Sequence, residues 1–562
     1  MTVALFWPIR DQAREFIKSI TISMWRRYRS KFIFWFIALV FLCVTNAFIF
    51  FGYSFGVSHK HYSGINIFGA ADKLVYYSQI EQGRQGSIMM KNLHTSEPQK
   101  GLFFSPHWWL IGQTAKWLNL SNDIAYQLYR IILTLIMLGL FWYLSGKLFS
   151  GFWERVAGWS VVLFASGWGW IVGFFQPEVL TSRFDALLNK PVDLYVTEMA
   201  PLSNSQQSPL FILSHVLLLA IMILVLRWRH QWTWQRGVII GAIALLLVMI
   251  HPYDLWVVLI VLGAWSVYKL WRGASWSALR YPASAIVGAI LGATYVYAGL
   301  LADVAISGWS KQNLVYSPPL YNYLIGLGLL FPLWLVGLYE TFKHKRDSAW
   351  WMLLALWSVA GWFMLYLPLD YNRRLANAWQ IPLGFMAYQG LRVLGSHIRA
   401  LYFKIVFYSF IIVGLFAGSI YGLWLPIQQI PLFVTDQRFY LSDDLHQTLI
   451  DLTNHSNDQD VILSSDSHLD VIIPAYTGRR IFIGHEHQTV NFALKAQLRQ
   501  EFFSGITGMD RPAFLRQNAI TYVATLYADT YNEAYYSWLD RQNYLQLVSR
   551  YQDGALYKVV PY

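Results

Sequence analysis

The sequence contains few charged residues and almost no cysteine. Only 13% of its 562 residues are Asp, Glu, Lys or Arg, which is about half the share found in soluble globular proteins. The one cysteine, Cys43, lies in an apolar run and cannot form an intramolecular disulfide, so cysteine use does not reveal the redox compartment. The sequence also lacks a phosphate-binding loop and a His-Glu-x-x-His zinc motif. These absences exclude an ordinary cytosolic enzyme and the enzyme classes that those motifs mark.

Apolar and aromatic residues are abundant instead. The chain is 56% hydrophobic and 17% aromatic, with a mean hydropathy of +0.36. Its 27 tryptophans and 35 tyrosines suit a protein with two membrane interfaces, where amphipathic rings settle. The net charge of +12 comes from small Lys and Arg clusters between apolar runs, which is typical of membrane orientation rather than of a nucleic-acid surface. We therefore predict an integral membrane protein whose partners include membrane lipid and no nucleic acid.

Eleven apolar runs are candidate membrane spans, each of which needs about 20 predominantly apolar residues. The predicted fold class is an α-helical polytopic membrane protein with about eleven transmembrane helices and a C-terminal α/β domain. Residues 1–31 form a basic segment without a signal-peptide cleavage site, 32–425 the transmembrane region and 426–562 the C-terminal domain. The runs lie near 32–53, 123–145, 156–175, 209–226, 237–251, 253–268, 281–301, 320–341, 349–369, 376–395 and 403–424.

Lys and Arg recur in every second connection between the runs. The positive-inside rule places these connections and the N-terminus in the cytoplasm, so the C-terminal domain is extracytoplasmic. Acidic residues, histidines and prolines concentrate in the outer connections, which include a long first outer loop, 54–122, and a second at 176–208. This distribution predicts a multi-pass protein of the plasma or inner membrane that works on the extracytoplasmic face.

The C-terminal residues alternate between helical and strand patterns, and Asp553-Gly554 is a strong hairpin signal. Such alternation predicts a small α/β sheet domain, which would act as a lid or scaffold over a site in the membrane region. The run His485-Glu486-His487 is only a weak metal-binding pattern. The helical and strand segments lie at 443–452, 460–464, 480–484, 488–504, 520–524 and 544–560.

The first outer loop contains the acidic residue on which our functional interpretation depends. Asp72 begins a segment, 72–83, whose apolar positions suit a short helix in the membrane interface. As the N-cap or a first-turn residue, Asp72 would be stabilised by the helix dipole. The segment around 105–109 predicts a second interfacial helix.

This loop resembles that of membrane glycosyltransferases of the GT-C fold, such as the protein O-mannosyltransferases and the aminoarabinose transferase of lipid A. It is more similar to a group of uncharacterised bacterial GT-C-like proteins. One departure is that the doubled acid of the protein mannosyltransferases is Asp72-Lys73 here, so acceptor specificity does not carry over. The resemblance rests on Asp72, Tyr76, Ile80, Asn92, Thr95, Glu97, Pro98, Arg130, Ser208-Pro209, His215, His251-Pro252-Tyr253-Asp254, Arg373-Arg374, Ile381-Pro382-Leu383, the segment 473–480 and Gly484-His485.

The resemblance implies sugar transfer from a polyprenyl-phosphate donor to a hydroxyl of a glycan, lipid or protein acceptor, with Asp72 as general base. Such transfer needs a carboxylate to take the acceptor's proton and cations to stabilise the departing phosphate. Arg373 and Arg374 on the outer side, and Arg130 inside the second run, are the candidate phosphate ligands. Some GT-C enzymes use a divalent metal, but this loop lacks an acid cluster, so no cofactor and no metal site are predicted. The candidate substrate-binding residues are Tyr76, Asn92, Glu97, His215, His251 and Asp254.

Each of these residues also has a structural interpretation. Asp72 can cap a helix, Arg373 and Arg374 can face lipid headgroups, Arg130 can pair with a carboxylate, and His215 can join two helices. For the whole chain, the alternative function is a transporter or flippase of a lipid-linked or small substrate. Transporters commonly show inverted repeats and charges near the midplane, whereas a carboxylate just after the first span favours the enzyme.

Overall fold

The computed structural model describes residues 7–101, 103–176, 190–312, 314–345, 347–504, 508–526 and 536–561. Part of the predicted second outer loop, 177–189, lies outside these described residues. Helices coincide with all eleven predicted runs. The helices of this region are α1 Trp7–Ser54, α2 Ala70–Gln85, α3 Pro106–Trp117, α4 Asn122–Leu148, α5 Phe152–Phe164, α6 Gly169–Phe175, α7 Pro201–Gln207, α8 Pro209–Trp228, α9 Trp234–Ile250, α10 Asp254–Trp271, α11 Arg280–Ala302, α12 Val304–Gln312, α13 Leu320–Leu327, α14 Leu330–His344, α15 Ala349–Met364, α16 Gln380–His397 and α17 Leu401–Gln429.

Several of these helices can cross a membrane. Among the described residues, six segments are long and apolar enough, and they contain α4, α8, α10, α11, α17 and the second half of α1. Two bent pairs, α5–α6 and α13–α14, bring the number to eight, and α9 and α15 are apolar but shorter. The chain is therefore a multi-pass membrane protein. The expected number of eleven crossings stays a prediction.

Two of the predicted spans, the third and the eighth, are broken helices rather than continuous ones. The axes of α5 and α6 differ by 41°, and those of α13 and α14 by 87°. The two breaks pack against each other, since the Trp168 N–H donates to the Ile325 carbonyl at 2.9 Å. A Cβ atom on Gly167 would lie 2.2 Å from the Gly326 backbone. Hydropathy alone does not reveal this crossing because it depends on two glycines that are distant in sequence.

The first outer loop forms the two short helices that the sequence predicts. α2 follows Gly69, which has a φ of +63°, a conformation that glycine adopts readily. α3 crosses α2 in direct contact, because a Cβ atom on Gly112 would lie only 2.4 Å from the Ile80 carbonyl oxygen. This close packing fixes the position of α2, whose first turn carries Asp72.

The C-terminal residues form a five-stranded sheet in the order β6-β5-β7-β9-β8. β5 runs parallel to β6 and β7, while β9 is antiparallel to both β7 and β8. The hairpin predicted at Asp553-Gly554 is confirmed as the β8–β9 connection. The elements are β1 Lys60–Tyr62, β2 Met89–Met90, β3 Phe103–Phe104, β4 Tyr440–Ser442, α18 Asp443–His455, β5 Val461–Ser464, α19 Leu469–Thr477, β6 Arg480–Ile481, α20 Phe492–Ser504, α21 Arg511–Gln517, β7 Ile520–Leu526, β8 Leu545–Tyr551 and β9 Gly554–Val559.

The C-terminal part packs directly on the first outer loop. β4 pairs with β1, and Ile483 forms an antiparallel bridge with Thr95. The Ile481 N–H donates to the Leu93 carbonyl at 3.0 Å. A single apolar core continues from α2 and α3 into α18, α19 and the sheet. Loops from the two ends of the chain are thereby held against each other.

Candidate active site around Asp72

Asp72 lies at an open position in the first turn of α2. The N-cap is Gly69, so Asp72 is not the capping residue. About 60% of its side chain is accessible, although His485, Arg374 and His487 all lie close enough to affect its charge. The carboxylate thus has charged neighbours and still exposes most of its side chain. It can therefore contact a molecule that approaches the first turn of α2.

Four separate segments of the chain meet at this carboxylate. His485 Nε2 lies 3.3 Å from Asp72 Oδ1, and Arg374 Nη1 lies 3.8 Å from Glu198 Oε1. The Arg374 guanidinium also lies 5.7 Å from the centre of the Tyr253 ring. We call this group the Asp72 site. It consists of Asp72, Tyr76, Glu198, Tyr253, Arg374, His485 and His487.

The charges around Asp72 favour its ionised form. Burial would raise the pKa of the carboxyl group, but the hydrogen bond with His485 and the charges of His485, Arg374 and His487 lower it below its usual value. A carboxyl group with a lowered pKa is deprotonated at every pH above that value, so Asp72 is a carboxylate at neutral pH. It is therefore ready to accept a proton.

Arg374 supplies a permanent positive charge beside Asp72. Burial would lower the pKa of the guanidinium, but Glu198, Tyr253, Tyr76 and Asp72 together raise it. Glu198 is buried and its Oε1 atom accepts no hydrogen bond from the described residues, so its charge is balanced chiefly by Arg374. Two carboxylates thus act on the Arg374 guanidinium: Glu198, which is buried, and Asp72, which is accessible.

Tyr76 faces the same charges from α2. Its ring stacks on Trp108 at 4.8 Å. Burial and the neighbouring Asp72 charge raise its pKa well above the usual value, so its hydroxyl stays protonated. Among the predicted residues, the structure thus brings Asp72, Tyr76 and Arg374 together.

Arg373, by contrast, is directed to different neighbours. Its guanidinium lies 5.2 Å from the centre of the Tyr195 ring, and the charged groups that act on Asp72 include Arg374 but not Arg373. The two consecutive residues lie in a short 3₁₀ helix, Asn372–Ala376, which separates their side chains. The predicted phosphate-binding role of Arg373 stays a prediction.

Arg130 is enclosed within the helix bundle. Only 1% of the residue is accessible, and its guanidinium donates to Gln127 Oε1 at 2.6 Å, to the Ser205 carbonyl and to Asn46 Oδ1. All three acceptors are neutral, so Arg130 joins α4 to α1 and α7, and no carboxylate of the described residues pairs with it. In this structure it contacts protein oxygens, and its predicted role in binding phosphate is untested.

His251, Asp254 and His215 form a buried layer behind Arg374. Asp254 is fully buried and accepts hydrogen bonds from Ser214 and, at 2.9 Å, from Asn377 Nδ2. His251 Nδ1 lies 3.0 Å from Asp254 Oδ2. His215 Nε2 lies 2.9 Å from the Glu198 carbonyl oxygen. These three residues therefore support the segments that carry Glu198 and Arg374.

We predict that Asp254→Ala destabilises the protein by roughly 3–5 kcal/mol, because it leaves buried polar partners unpaired. Thermal unfolding in detergent measures the loss. The matched control is Asp347→Ala, since Asp347 is 84% accessible and pairs with Arg272 at the surface. This control should change stability by at most about 0.5 kcal/mol. Equal effects of the two substitutions would contradict the prediction.

Asn92 and Glu97 lie in the junction with the C-terminal part. Asn92 Nδ2 donates to the Gln488 carbonyl at 2.8 Å, and Glu97 Oε1 pairs with Lys495 Nζ at 2.7 Å. Their polar atoms thus hold the first outer loop against the segment that carries His485. The predicted substrate contacts of these two residues remain untested.

A metal ion has no evident ligand set in this site. Among the described residues, no group of three or more His, Cys, Asp and Glu side chains is arranged to hold a metal ion. The site therefore gives no support for a metal-assisted step. Independence of metal stays a prediction.

Sequence reasoning missed four members of the site. Glu198 was one acid among several in the second outer loop, and Tyr253 was part of a turn motif without a role of its own. His485 belongs to the Gly484-His485 pair of the resemblance, which was the available signal, and His487 belongs to the weak metal-binding pattern. None of the four is close to Asp72 in sequence, so their convergence could not be read from local patterns.

The fold has counterparts among solved structures. The chain matches ArnT from Cupriavidus metallidurans bound to undecaprenyl phosphate with a TM-score of 0.51 and 12% identity, over 94% of this chain and 97% of ArnT. The apo form of ArnT gives a TM-score of 0.50 and 11% identity, over 95% and 98%. The chain has the GT-C fold. The expected GT-C fold is thereby confirmed, while the number of transmembrane helices stays a prediction.

One further solved structure is similar to this chain at a lower TM-score. The Archaeoglobus fulgidus oligosaccharyltransferase tethered with an acceptor peptide gives a TM-score of 0.49 and 12% identity, over 90% of this chain and 71% of that chain. No family model and no curated protein sequence matches the chain. At these identities, the likeness concerns the GT-C fold and leaves the reaction to be argued from the site.

Proposed function

We propose that the protein is a membrane glycosyltransferase that moves a sugar from a polyprenyl-phosphate donor to an acceptor hydroxyl on the extracytoplasmic face. The observation that carries this proposal is an accessible carboxylate, Asp72, beside a partly buried guanidinium, Arg374, whose charge acts on it. The GT-C fold supports it, as does the undecaprenyl phosphate bound to ArnT.

In the proposed reaction, the acceptor oxygen attacks the anomeric carbon as Asp72 removes its proton. The bond between the anomeric carbon and the phosphate oxygen breaks, and its electron pair leaves with the polyprenyl phosphate. Direct displacement inverts the configuration of the anomeric carbon. Arg374 stabilises the charge that develops on the leaving phosphate, because a fixed guanidinium needs no reorganisation during the step. The protonated Tyr76 hydroxyl supplies a further donor.

Glu198 has a supporting part in this scheme. Its buried carboxylate lies 3.8 Å from the Arg374 guanidinium. Because Glu198 Oε1 accepts no hydrogen bond from the described residues, any movement of Arg374 leaves the carboxylate without its nearest positive charge. The pair therefore keeps the guanidinium in place before the donor arrives.

A transporter or flippase is the second candidate. The broken pairs α5–α6 and α13–α14 favour it, since discontinuous helices are common around transport sites. The breaks are closed by direct backbone contact between Trp168 and Ile325, however, and the accessible carboxylate lies elsewhere, in the first outer loop.

We expect purified protein to transfer labelled sugar from at least one member of a panel of undecaprenyl-phosphate hexoses, pentoses and aminopentoses. The acceptors would be extracted envelope glycans, lipids and proteins. We expect transfer to continue in EDTA, since the sequence predicts no metal site. Movement of the donor across liposomes without any turnover would instead favour the transporter.

A further inference from the structure

His485 is the C-terminal residue that reaches Asp72. It belongs to a loop after β6, at the opposite end of the chain from α2, and its side chain is buried. Its Nε2 atom lies 3.3 Å from Asp72 Oδ1. This contact adds a ring nitrogen from the C-terminal part to a site whose other members, apart from His487, belong to the membrane region and its loops.

The hydrogen bonds of His485 determine which ring nitrogen carries the proton. The His487 backbone N–H donates to His485 Nδ1 at 3.2 Å. Because Nδ1 acts as an acceptor there, the neutral ring carries its proton on Nε2. That N–H faces Asp72 Oδ1 and can donate to it.

The loop that carries His485 is held rigidly. The Gly484 N–H donates to Thr489 Oγ1 at 2.8 Å, and Thr489 Oγ1 donates to the His94 carbonyl at 2.7 Å. A Cβ atom on Gly484 would lie 2.6 Å from His94 Cα, so only glycine fits between the loop and the first outer loop. The imidazole is thus fixed in place by contacts that do not involve Asp72.

The two oxygens of Asp72 have different surroundings. Oδ1 lies 3.3 Å from His485 Nε2, whereas Oδ2 is on the side of Gly69, where an added Cβ atom would lie 3.1 Å from it. One oxygen therefore has an imidazole partner, while about 60% of the Asp72 side chain stays accessible. A base that must point a lone pair at an incoming hydroxyl needs this kind of asymmetry.

We propose that His485 is a positioning residue for sugar transfer: its Nε2–H holds Asp72 Oδ1, so that Oδ2 is aimed at the acceptor hydroxyl and takes its proton. The inference rests on the proposed function. It also gives the C-terminal part a role beyond that of a lid, because the site is complete only when the loop at 484–489 is docked on the first outer loop.

The groups around His485 determine how its removal changes the response to pH. Facing it are the carboxylates of Asp72 and Glu486, the guanidinium of Arg374, and the rings of His94 and His487. Burial raises the pKa of Asp72, and the hydrogen bond of His485 opposes that effect. Without the imidazole, the pKa of Asp72 rises, and Asp72 becomes protonated at a higher pH than in the wild type.

Two substitutions of His485 distinguish a role in positioning Asp72 from a role in packing alone. His485→Ala removes the donor, whereas His485→Gln places an amide N–H close to the position of Nε2 and cannot titrate. We expect the alanine variant to lose about 10- to 100-fold in kcat/KM and the acid limb of its pH profile to move to higher pH. The glutamine variant should recover most of the rate and keep the wild-type limb. His344→Ala is the matched control, since His344 is 54% accessible and lies outside the Asp72 site, and it should leave transfer unchanged.

A second measurement does not depend on transfer. A water-soluble carbodiimide modifies protonated carboxyl groups, so the rate at which it labels Asp72 between pH 5 and 7, read by mass spectrometry, follows the protonated fraction. We expect faster labelling in the alanine variant than in the wild type or the glutamine variant. Equal labelling in all three overturns the inference, as does an alanine variant with a wild-type rate and pH profile. A wild type that transfers no sugar would overturn the proposed function alone, because the labelling comparison would still test the contact.

Discussion

Replacing Asp72 with asparagine is expected to reduce the rate of sugar transfer about 10²- to 10⁴-fold, which is the usual contribution of a general base. Asparagine keeps the size of the side chain but cannot accept the acceptor's proton. Because the side chain is about 60% accessible, the substitution should leave folding nearly unchanged. The measurement is single-turnover transfer from the donor that the panel identifies, together with the affinity for undecaprenyl phosphate, which the substitution should preserve.

The control for this experiment is Asp443→Asn. Asp443 is another partly exposed acid, and it pairs with His59 and His61 at the junction of β1 and α18. It lies outside the Asp72 site, so its variant should transfer sugar at the wild-type rate. Full activity of the Asp72→Asn variant would remove Asp72 as the base and would direct attention to Glu198.

Replacing Arg374 with lysine is expected to lower kcat by about 10²- to 10³-fold, the effect of losing one preorganised donor to developing negative charge. Lysine keeps a positive charge but not the planar set of donors that matches a phosphate. It also cannot maintain the 3.8 Å contact with Glu198 and an interaction with the leaving group in the same geometry. The affinity for undecaprenyl phosphate should fall with the rate.

The adjacent residue gives a matched comparison for this variant. Arg373→Lys makes the same chemical change one position earlier, where the guanidinium lies against Tyr195. We expect a loss several-fold smaller than that of Arg374→Lys. The structural assignment would fail if Arg373→Lys had the larger effect on kcat, because Arg373 would then be the arginine that meets the phosphate.

The C-terminal part contributes to the Asp72 site through its contact with the first outer loop. Its loop at 484–489 brings His485 to Asp72, while Asn92 and Glu97 of the first outer loop hold that loop in place through Gln488 and Lys495. Substitutions in this junction should therefore change activity without touching the donor. The arrangement explains why a motif of the first outer loop and a motif near the end of the chain occur in the same protein.

The sequence by itself determined the class of protein, the places of its helices and the first acid of the site. Long apolar runs with basic flanks are local patterns, and the free-energy cost of exposing backbone in lipid makes such runs helical. Asp72 could be selected for the same reason, because its position just after the first span is visible in the linear sequence. The two short helices of the first outer loop and the β8–β9 hairpin are likewise specified by nearby residues.

Only the tertiary structure decided which of the candidate residues lie close together. Arg373 and Arg374 are equivalent in sequence, yet a short 3₁₀ helix turns one toward Tyr195 and the other toward Glu198. The approach of His485 to Asp72 depends on strand pairing and core packing between the two ends of the chain. Local hydropathy contains no information about such long-range contacts. The hydropathy pattern of a segment predicts its secondary structure, and that pattern is the same whichever distant segment packs against it.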